Sequence, residues 1–366
     1  MTPARQTFGF AQASRRWWVV LLVLVGASFL VYRNRDAVAP ATAARFGGAA
    51  QGTTYSVVLG GPRPAAVRMA LQSSVDSLLA EIDAAMSTYD STSELSRLNR
   101  SRLVTPVALS PSLAQVLHDA QHVSRASDGA FDVTVGPLVD AWGFGASGDD
   151  GAVPDDSVLT AMRARVGWEK LRLDSFSLIR TQPDIEIDLN AIAPGHAVDR
   201  ISALLSARGE TNHLVELGGE MRARGRNAEG QPFRVGIESP DPERRTVRVV
   251  VGLADRALAT SGNYRDFRDV NGVRYVHTLD PSTGRPVTHR LLSVSVLHER
   301  CAMADAWATA LLVVGPERAW AMAQANELEV LLLIAGANGE VQERMSDGFS
   351  AIVRRDAKDA PPKETR

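Results

Sequence analysis

Residues 187–199 restrict the possible folds of this chain more than any other segment, because their pattern predicts a β-strand that leads directly into an α-helix. The apolar strand carries an acid, Asp188, and small residues with a Pro-Gly pair, Pro194-Gly195, lead into the helix. Small side chains let backbone groups approach a ligand closely, and a helix start presents free N–H groups and a positive dipole end. The segment therefore predicts a strand-turn-helix unit that binds an anion such as a phosphate.

Length and charge set the next limits. The chain has 366 residues, of which 45% are hydrophobic and 22% charged, so it can bury a core in one large domain or two ordinary ones. Its formal net charge is −2 with both signs interspersed, which argues against a nucleic-acid partner. The single cysteine, Cys301, permits neither an internal disulfide nor a Cys-rich metal site.

An apolar run near the N-terminus indicates export. Trp17–Tyr32 is uncharged, follows Arg15 and Arg16, and is 16 residues long. A membrane-spanning helix needs roughly 20 residues, so the run suits a signal-peptide core or an uncleaved signal anchor. We therefore expect export from the cytoplasm, with the folded part either anchored to a membrane by this segment or released if cleavage occurs at Ala37-Val38-Ala39.

The rest of the chain predicts one α+β domain. The predicted organisation is a signal or anchor over residues 1–36, a linker over 37–49, a domain over 50–355 and a loose tail over 356–366. Alternating apolar residues predict strands at 52–59, 171–173, 177–180, 185–189, 214–217, 222–225, 233–237, 247–253, 291–297, 330–334, 341–345 and 349–353. Three- and four-residue apolar spacings predict helices at 64–86, 110–129, 157–166, 195–208, 302–314 and 317–326. The fold class is mixed, largely antiparallel sheets packed with helices.

Asp305 and Thr309 are the first candidates for chemistry. They lie four residues apart in the apolar helix 302–314 and so share one helical face. A buried carboxylate and hydroxyl are costly unless something satisfies them, and Mg²⁺ takes oxygen ligands of this kind. The alternative is a capped helix start, with Asp305 in the first turn and Thr309 bonded back to a carbonyl. The spacing leaves both interpretations open.

Three further residues each have two interpretations, which are evenly balanced for Asp188, whereas the structural interpretation is favoured for Tyr89 and His277. Asp188 could accept a hydrogen bond from a ligand or cap the turn that follows it. Tyr89, at a helix exit rich in hydroxyl side chains, could stack on a ring, although capping by those hydroxyls is the simpler interpretation. His277, in a predicted strand beside Asp280-Pro281, could carry a proton or be structural. The sequence lacks the common phosphate-loop, zinc-protease and serine-hydrolase strings.

Taken together, the motifs resemble those of the FAD:protein FMN transferases, the ApbE-type flavin transferases. Each string is short, but the set follows the family's order over about residues 50–350. The matching segments are Gly52-Thr53-Thr54-Tyr55, Met86–Tyr89, Ser93–Asn99, Gly129–Leu138, Ile187–Asp199, Leu217-Gly218-Gly219-Glu220, Thr260–Arg265, His277–Pro281 and Ala304–Thr309.

The resemblance implies an exported, Mg²⁺-dependent enzyme that takes FAD. It would attach the FMN half through phosphate to a threonine or serine of an acceptor protein and release AMP. Asp305 and Thr309 would be metal ligands together with the backbone oxygen of Ala191, and His277 would activate the acceptor hydroxyl. The positions implied to contact FAD are Tyr89, Ala130, Phe131, Asp132, Asp188, Pro194 and Leu279.

Two residues depart from the family pattern. Gln51 stands where a methionine is common, and Pro194 stands where many members have a charged or long polar residue. Proline suits a helix start but offers a phosphate no N–H. An FAD carrier without turnover, or an FAD pyrophosphatase that gives FMN and AMP, is the alternative function. The sequence contains no Ser/Thr-Gly-Ala-Thr string of the kind that the family modifies, so the acceptor is expected to be another chain.

Overall fold

Strands and helices follow one another along the described part of the chain. The computed structural model describes residues 43–145, 152–241, 243–264 and 267–353. Its strands are β1 (Arg45–Ala50), β2 (Thr53–Leu59), β3 (Val107–Ala108), β4 (Leu171–Asp174), β5 (Ser177–Arg180), β6 (His213–Leu217), β7 (Glu220–Arg224), β8 (Phe233–Glu238), β9 (Val247–Leu253), β10 (Ala257–Gly262), β11 (Phe267–Val270), β12 (Val273–Val276), β13 (Leu279–Asp280), β14 (Arg285–Pro286), β15 (Leu291–His298), β16 (Glu329–Ala335) and β17 (Val341–Met345). Its helices are α1 (Ala65–Met86), α2 (Glu94–Ser101), α3 (Pro111–Ala126), α4 (Gly136–Ala141), α5 (Asp156–Arg163), α6 (Ala193–Ala207), α7 (Cys301–Val314), α8 (Pro316–Ala325) and α9 (Asp347–Ile352).

One large sheet organises the fold. Its strand order is β1-β2-β6-β7-β10-β15-β16-β17, and smaller sheets form from β3-β5-β4, β8-β9, β11-β12 and β13-β14. Within the described residues every pairing between these strands is antiparallel. Helices pack on this sheet, so the predicted α+β class is confirmed.

The helices cover the sheet in two tiers. Helix α6 packs on β6 and β7, and α7 packs on β10 and β15 and also against α6. Helices α1 and α3 pack outside them, on α6 and α7 respectively. Because α7 is almost entirely apolar, nearly all of its side chains are buried. This arrangement brings the starts of α6 and α7 together at the centre of the molecule.

The predicted linker was wrong over its second half. Strand β1 occupies residues 45–50 and pairs along its length with β2. Its sequence, Arg-Phe-Gly-Gly-Ala-Ala, has little apolar periodicity, but Phe46 and the preceding Ala44 are buried in the main core. Because two glycines let the strand approach Tyr55 closely, small residues here serve a strand rather than a linker. Residues 37–42 of the predicted linker, the segment 1–36 and the tail 356–366 lie outside the described residues.

Two predicted strands were also wrong. Residues 185–189 alternate between buried and half-buried side chains but belong to no strand. The Asn99 amide both donates to and accepts from the Ile187 backbone, at 2.9 Å each, where a strand would have a partner strand. The predicted strand 349–353 is helix α9, in which Phe349 alone is fully buried. A short apolar run fits either structure, and here the helical spacing of Phe349 and Ile352 decides.

Among the residues that the structure describes, no helix has both the length and the apolar character needed to cross a bilayer. The apolar run Trp17–Tyr32 lies outside those residues.

Candidate active site

Asp305 lies at the centre of the candidate site, on the buried face of α7. Its side chain is only 5% exposed, and its Oδ2 accepts a hydrogen bond of 3.0 Å from the backbone N–H of Gly195. Gly195 belongs to the first turn of α6, whereas Asp305 lies beyond the first turn of its own helix. The capping interpretation of Asp305 was therefore wrong for α7, because the carboxylate binds the start of the neighbouring helix.

Burial dominates the electrostatics of Asp305. It raises the pKa of the carboxyl to about 7; the Gly195 hydrogen bond opposes the shift, and the charge of Asp199 adds to it. Ionising such a buried carboxyl group costs free energy unless a cation or further hydrogen-bond donors compensate the charge. The site is thus suited to a positively charged ligand.

The alternative interpretation, in which the Thr309 hydroxyl bonds back to a carbonyl of its own helix, was wrong. This hydroxyl lies 3.1 Å from the Ser261 hydroxyl, on strand β10. The first half of the predicted turn at residues 259–265 belongs to strand β10, which pairs with β15 and β7. Sequence spacing predicted the shared face of Asp305 and Thr309 but could not show that Ser261 contacts Thr309.

Glu220 is a further acid that sequence reasoning missed. It begins β7, and burial followed by the charge of Asp305 raises its pKa well above the usual range. Buried carboxyl groups with a raised pKa are commonly found at functional sites, including sites where a cation binds. The signal in the sequence was the acid directly after Gly218-Gly219, since glycines at positive φ fix a tight turn there.

The turn before α6 holds Ala191, Pro194 and Asp188 together. Ala191 is half-buried in a tight turn closed by Ile192 and Ala193, whose N–H groups donate to the Leu189 carbonyl at 3.0 and 2.8 Å. Pro194 occupies the first turn of α6, where its missing N–H leaves no bond unmade. The N–H that reaches Asp305 comes from the next residue, so Pro194 does not weaken this contact.

Asp188 acts as the cap of this turn. Its Oδ1 accepts from the Asn190 N–H at 2.8 Å, which confirms the capping alternative. Burial, together with the charge of Asp140, raises its pKa. Because its own N–H donates to the Val133 carbonyl at 2.7 Å, Asp188 also connects this turn to the segment 130–135.

The segment 130–132 contributes structure more than free side chains. Phe131 is buried in the main core, and Ala130 is nearly as buried. Asp132 accepts from Thr134 at 2.6 and 2.8 Å and from the Trp168 N–H at 2.9 Å. The carboxylate of Asp132 is therefore already occupied, and burial raises its pKa.

Tyr89, His277 and Leu279 lie outside this central cluster of acids. Tyr89 is 69% exposed, and the Ser87 hydroxyl accepts from the Tyr89 and Asp90 N–H groups, which confirms the predicted capping. His277 was predicted on a strand but lies in the bend between β12 and β13, with its ring edge-on to Phe144 at 6.4 Å. Leu279 is buried with Leu138, Trp142 and Leu159 in a second hydrophobic cluster. Strand β13 packs against α7, which connects this cluster to the helix of Asp305.

The donors at the centre fit a hard cation. Asp305 supplies a carboxylate, Thr309 and Ser261 supply hydroxyls, and Glu220 supplies a second acid, all of them oxygen donors that suit Mg²⁺. No group of three His, Cys, Asp or Glu residues within the described ranges is arranged to hold a metal ion. A cation here would therefore depend on hydroxyl and backbone oxygens and on oxygens of a bound ligand.

The comparisons with known proteins agree with this fold and identify its family. The sequence matches the model of the ApbE family over residues 51–332, which is most of the chain. The chain belongs to the ApbE family. The match includes the α6 and α7 segments and every site residue named above.

Two relatives of the chain are named for the same enzymatic activity. An FAD:protein FMN transferase of Vibrio cholerae is 39% identical over 339 residues, which cover 93% of this chain and 99% of that protein. An enzyme of the same name from Escherichia coli strain K12 is 35% identical over 267 residues, covering 72% of this chain and 76% of that protein.

Solved structures resemble the chain closely. The flavin transferase ApbE from Vibrio cholerae superposes with a TM-score of 0.79 at 40% identity, covering 86% of this chain and all of that one. The apo form of the Pseudomonas stutzeri flavinyl transferase ApbE gives a TM-score of 0.76 at 33% identity, covering 85% of this chain and 96% of that one.

Proposed function

We propose that this protein is an FAD:protein FMN transferase, which moves FMN from FAD to a threonine or serine of an acceptor protein and releases AMP. The relatives named for this activity cover most of the chain. The observation that carries the proposal is the contact between the buried Asp305 carboxylate and the Gly195 N–H. That contact places an acid suited to a cation at a helix start suited to a phosphate.

The reaction breaks the phosphoanhydride bond of FAD and forms a phosphate ester to the acceptor. The acceptor hydroxyl oxygen forms a bond to the phosphorus of the FMN half, and the bond from that phosphorus to the bridging oxygen of the pyrophosphate breaks. AMP leaves with the bridging oxygen, and the hydroxyl proton goes to a base, for which His277 is our candidate. An imidazole within reach of the hydroxyl can take this proton near neutral pH.

The residues of α6 and α7 divide the remaining work. The first turn of α6 would offer the pyrophosphate the positive end of its helix dipole, since the N–H groups of Ala193, Gly195 and His196 already donate within the protein. Asp305, Thr309 and the Ala191 carbonyl would hold Mg²⁺, which when bound neutralises charge that develops on phosphate oxygens. The resemblance assigns FAD contacts to Asp188 and to Tyr89, whose side chain is exposed. The resemblance also assigns an FAD contact to Leu279, which is buried in an apolar cluster with Leu138 and Trp142.

We also propose that the protein works outside the cytoplasm, attached to the inner membrane by residues 1–36 or released after cleavage. The support is the uncharged run Trp17–Tyr32 with arginines before it. A fusion of the full chain to an enzyme that is active only in the periplasm tests this placement. Activity of the fused enzyme is expected, and its absence would contradict the proposal.

The activity is tested by incubating the purified protein with FAD, Mg²⁺ and an acceptor domain that a related transferase modifies. We expect covalent FMN on the acceptor, AMP release in equal amount, and little free FMN. Free FMN without protein-bound flavin would instead show FAD hydrolysis. Bound FAD without AMP release would show a carrier.

A further inference from the structure

The start of α7 is capped from another helix. Among the described residues, α7 receives no cap from the side chain of Arg300, which precedes it. Instead Asp199 of α6 accepts from the first two N–H groups of α7: Cys301 N donates to Oδ1 at 2.9 Å, and Ala302 N donates to Oδ2 at 3.1 Å. Both oxygens of one carboxylate are thus used to fix where α7 begins.

This capping is reciprocal. Asp199 lies one turn after Gly195 on α6, and Asp305 lies one turn after Cys301 on α7. Asp199 binds two N–H groups at the start of α7, and Asp305 binds one at the start of α6. The backbones touch where they cross, since a Cβ on Gly195 would lie 2.6 Å from the Cys301 carbonyl oxygen. One set of contacts between α6 and α7 therefore fixes the positions of both Asp305 and Asp199.

Arg222 adds a third element to the pair. Its guanidinium forms an ion pair with Asp199 from strand β7. The same strand begins at Glu220, whose pKa responds to the charge of Asp305. One carboxylate therefore ties together the elements that supply the Gly195 N–H, Asp305 and Glu220.

We propose that Asp199, held by Arg222, is a positioning residue for FMN transfer. It sets α6 against α7 so that Asp305, Thr309 and the start of α6 face one ligand in a productive arrangement. This proposal rests on the proposed function. Residues that orient metal ligands without touching the metal typically change metal affinity or activity by about 10- to 100-fold when replaced.

A purely structural role would have a different consequence. A helix cap that only stabilises the fold would lower the melting temperature and leave the affinity of the folded protein for its metal unchanged. Glu210 provides the matched control, since it is buried after the end of α6 and accepts two bonds from Arg63, at 2.9 and 2.8 Å. It resembles Asp199 in chemistry but lies at the opposite end of α6.

The test compares the full-length wild type with Asp199→Asn, Arg222→Met, Arg222→Lys and Glu210→Gln, well below each melting temperature. Mn²⁺ binding is measured by electron paramagnetic resonance, flavinylation is measured as a function of Mg²⁺, and hydrogen exchange is measured for the first turn of α7. We expect Asp199→Asn to weaken Mn²⁺ binding by about tenfold or more and to speed exchange at Cys301 and Ala302. Glu210→Gln should lower the melting temperature alone.

Arg222→Met separates positioning from simple charge effects. Removing a positive charge near the site should strengthen cation binding if charge alone matters, whereas loss of positioning should weaken it. Arg222→Lys should recover part of the loss. If Asp199→Asn does not fold, this pair of variants carries the test.

Unchanged Mn²⁺ affinity and Mg²⁺ dependence in both Asp199→Asn and Arg222→Met would overturn the positioning role. If Asp199→Asn yields no folded protein, unchanged values in Arg222→Met alone would overturn it. If the wild type itself neither binds Mn²⁺ nor flavinylates, the proposed function fails first, and with it the basis of the positioning role.

Discussion

At the scale of single residues, the site depends on acids whose surroundings the sequence does not reveal. The four-residue spacing of Asp305 and Thr309 was enough to predict a shared face. It could not distinguish a metal ligand from a cap, because the partner of Asp305 is Gly195, 110 positions away. The residues that interact with Thr309 and Glu220 are also distant from them in sequence, so local spacing does not reveal them either.

Asp305→Asn should separate stability from activity. An asparagine oxygen can still accept from the Gly195 N–H and carries no charge to bury, so the melting temperature without metal should stay the same or rise. The transfer rate should fall by at least about 100-fold, because the cation loses its carboxylate. Differential scanning fluorimetry and an acceptor assay measure the two effects. A large fall in melting temperature with normal activity would contradict this assignment.

His196 should give the protein a measurable acid sensitivity. Burial, reinforced by Arg200, lowers its pKa from 6.5 to about 4, and its Nε2 lies 3.1 Å from the Ser112 hydroxyl. Below pH 6.5 the imidazole of His196 binds a proton in the unfolded chain but not in the folded protein. Its contribution to the free energy of unfolding is therefore complete above pH 6.5 and is lost as the pH falls towards 4.

His196→Gln, which can keep the Ser112 hydrogen bond, isolates this contribution from other histidines. Between about pH 7.5 and about pH 5, the wild type should lose roughly 2 kcal/mol more unfolding free energy than the variant. Urea unfolding at both pH values measures the difference. Parallel losses in the two proteins would show that His196 does not cause the sensitivity.

At the scale of elements, the crossing of α6 and α7 decides whether the site forms. Both helices were predicted from apolar spacing within two residues of their observed starts. Their crossing was not predictable, because it depends on the absence of a side chain at Gly195 and on capping between helices. The extended segment 185–189 failed as a strand prediction for a related reason, since the Asn99 side chain takes the place of a neighbouring strand.

Gly195→Ala should separate the two helices. The added methyl group would lie 2.6 Å from the Cys301 carbonyl oxygen and 2.8 Å from the Ala302 Cα, both of them backbone atoms that cannot turn aside. We expect a loss of about 1–3 kcal/mol in unfolding free energy and a larger proportional loss of activity. Chemical unfolding and the acceptor assay provide both values.

Gly61→Ala is the matched control for this substitution. A methyl group there would meet the Arg63 Nη1 at 3.6 Å, an ordinary contact. It should leave both stability and activity close to those of the wild type. Equal effects of the two substitutions would show that the close crossing at Gly195 is not required.

At the scale of the whole molecule, the fold class followed from the sequence but the edge of the domain did not. Alternating and helical patterns identified most strands and helices, and the antiparallel pairing confirmed the α+β class. The start of the domain was missed because the β1 sequence is dominated by small residues, whose role as a strand is apparent only from its pairing with β2. The order of the eight strands depends on contacts too distant in sequence to be read from local patterns.

Two truncated chains test where the domain starts. A chain that begins at Ala43 keeps β1 and should remain folded and active in solution. A chain that begins at Gly52 loses the buried side chain of Phe46 and the pairing with β2, so its melting temperature should be lower by roughly 5 °C or more. Thermal unfolding of the purified chains measures the difference. Equal melting temperatures would place the start of the domain after β1.

The central claim is that the site between α6 and α7 transfers FMN to a protein hydroxyl, and intact-mass spectrometry of an acceptor domain tests it most directly. With wild-type protein, FAD and Mg²⁺, we predict that the acceptor gains one FMN through a threonine or serine, and that Asp305→Asn or removal of Mg²⁺ abolishes the gain. An acceptor left unmodified by the wild type, while a relative's transferase modifies it under the same conditions, would contradict the claim.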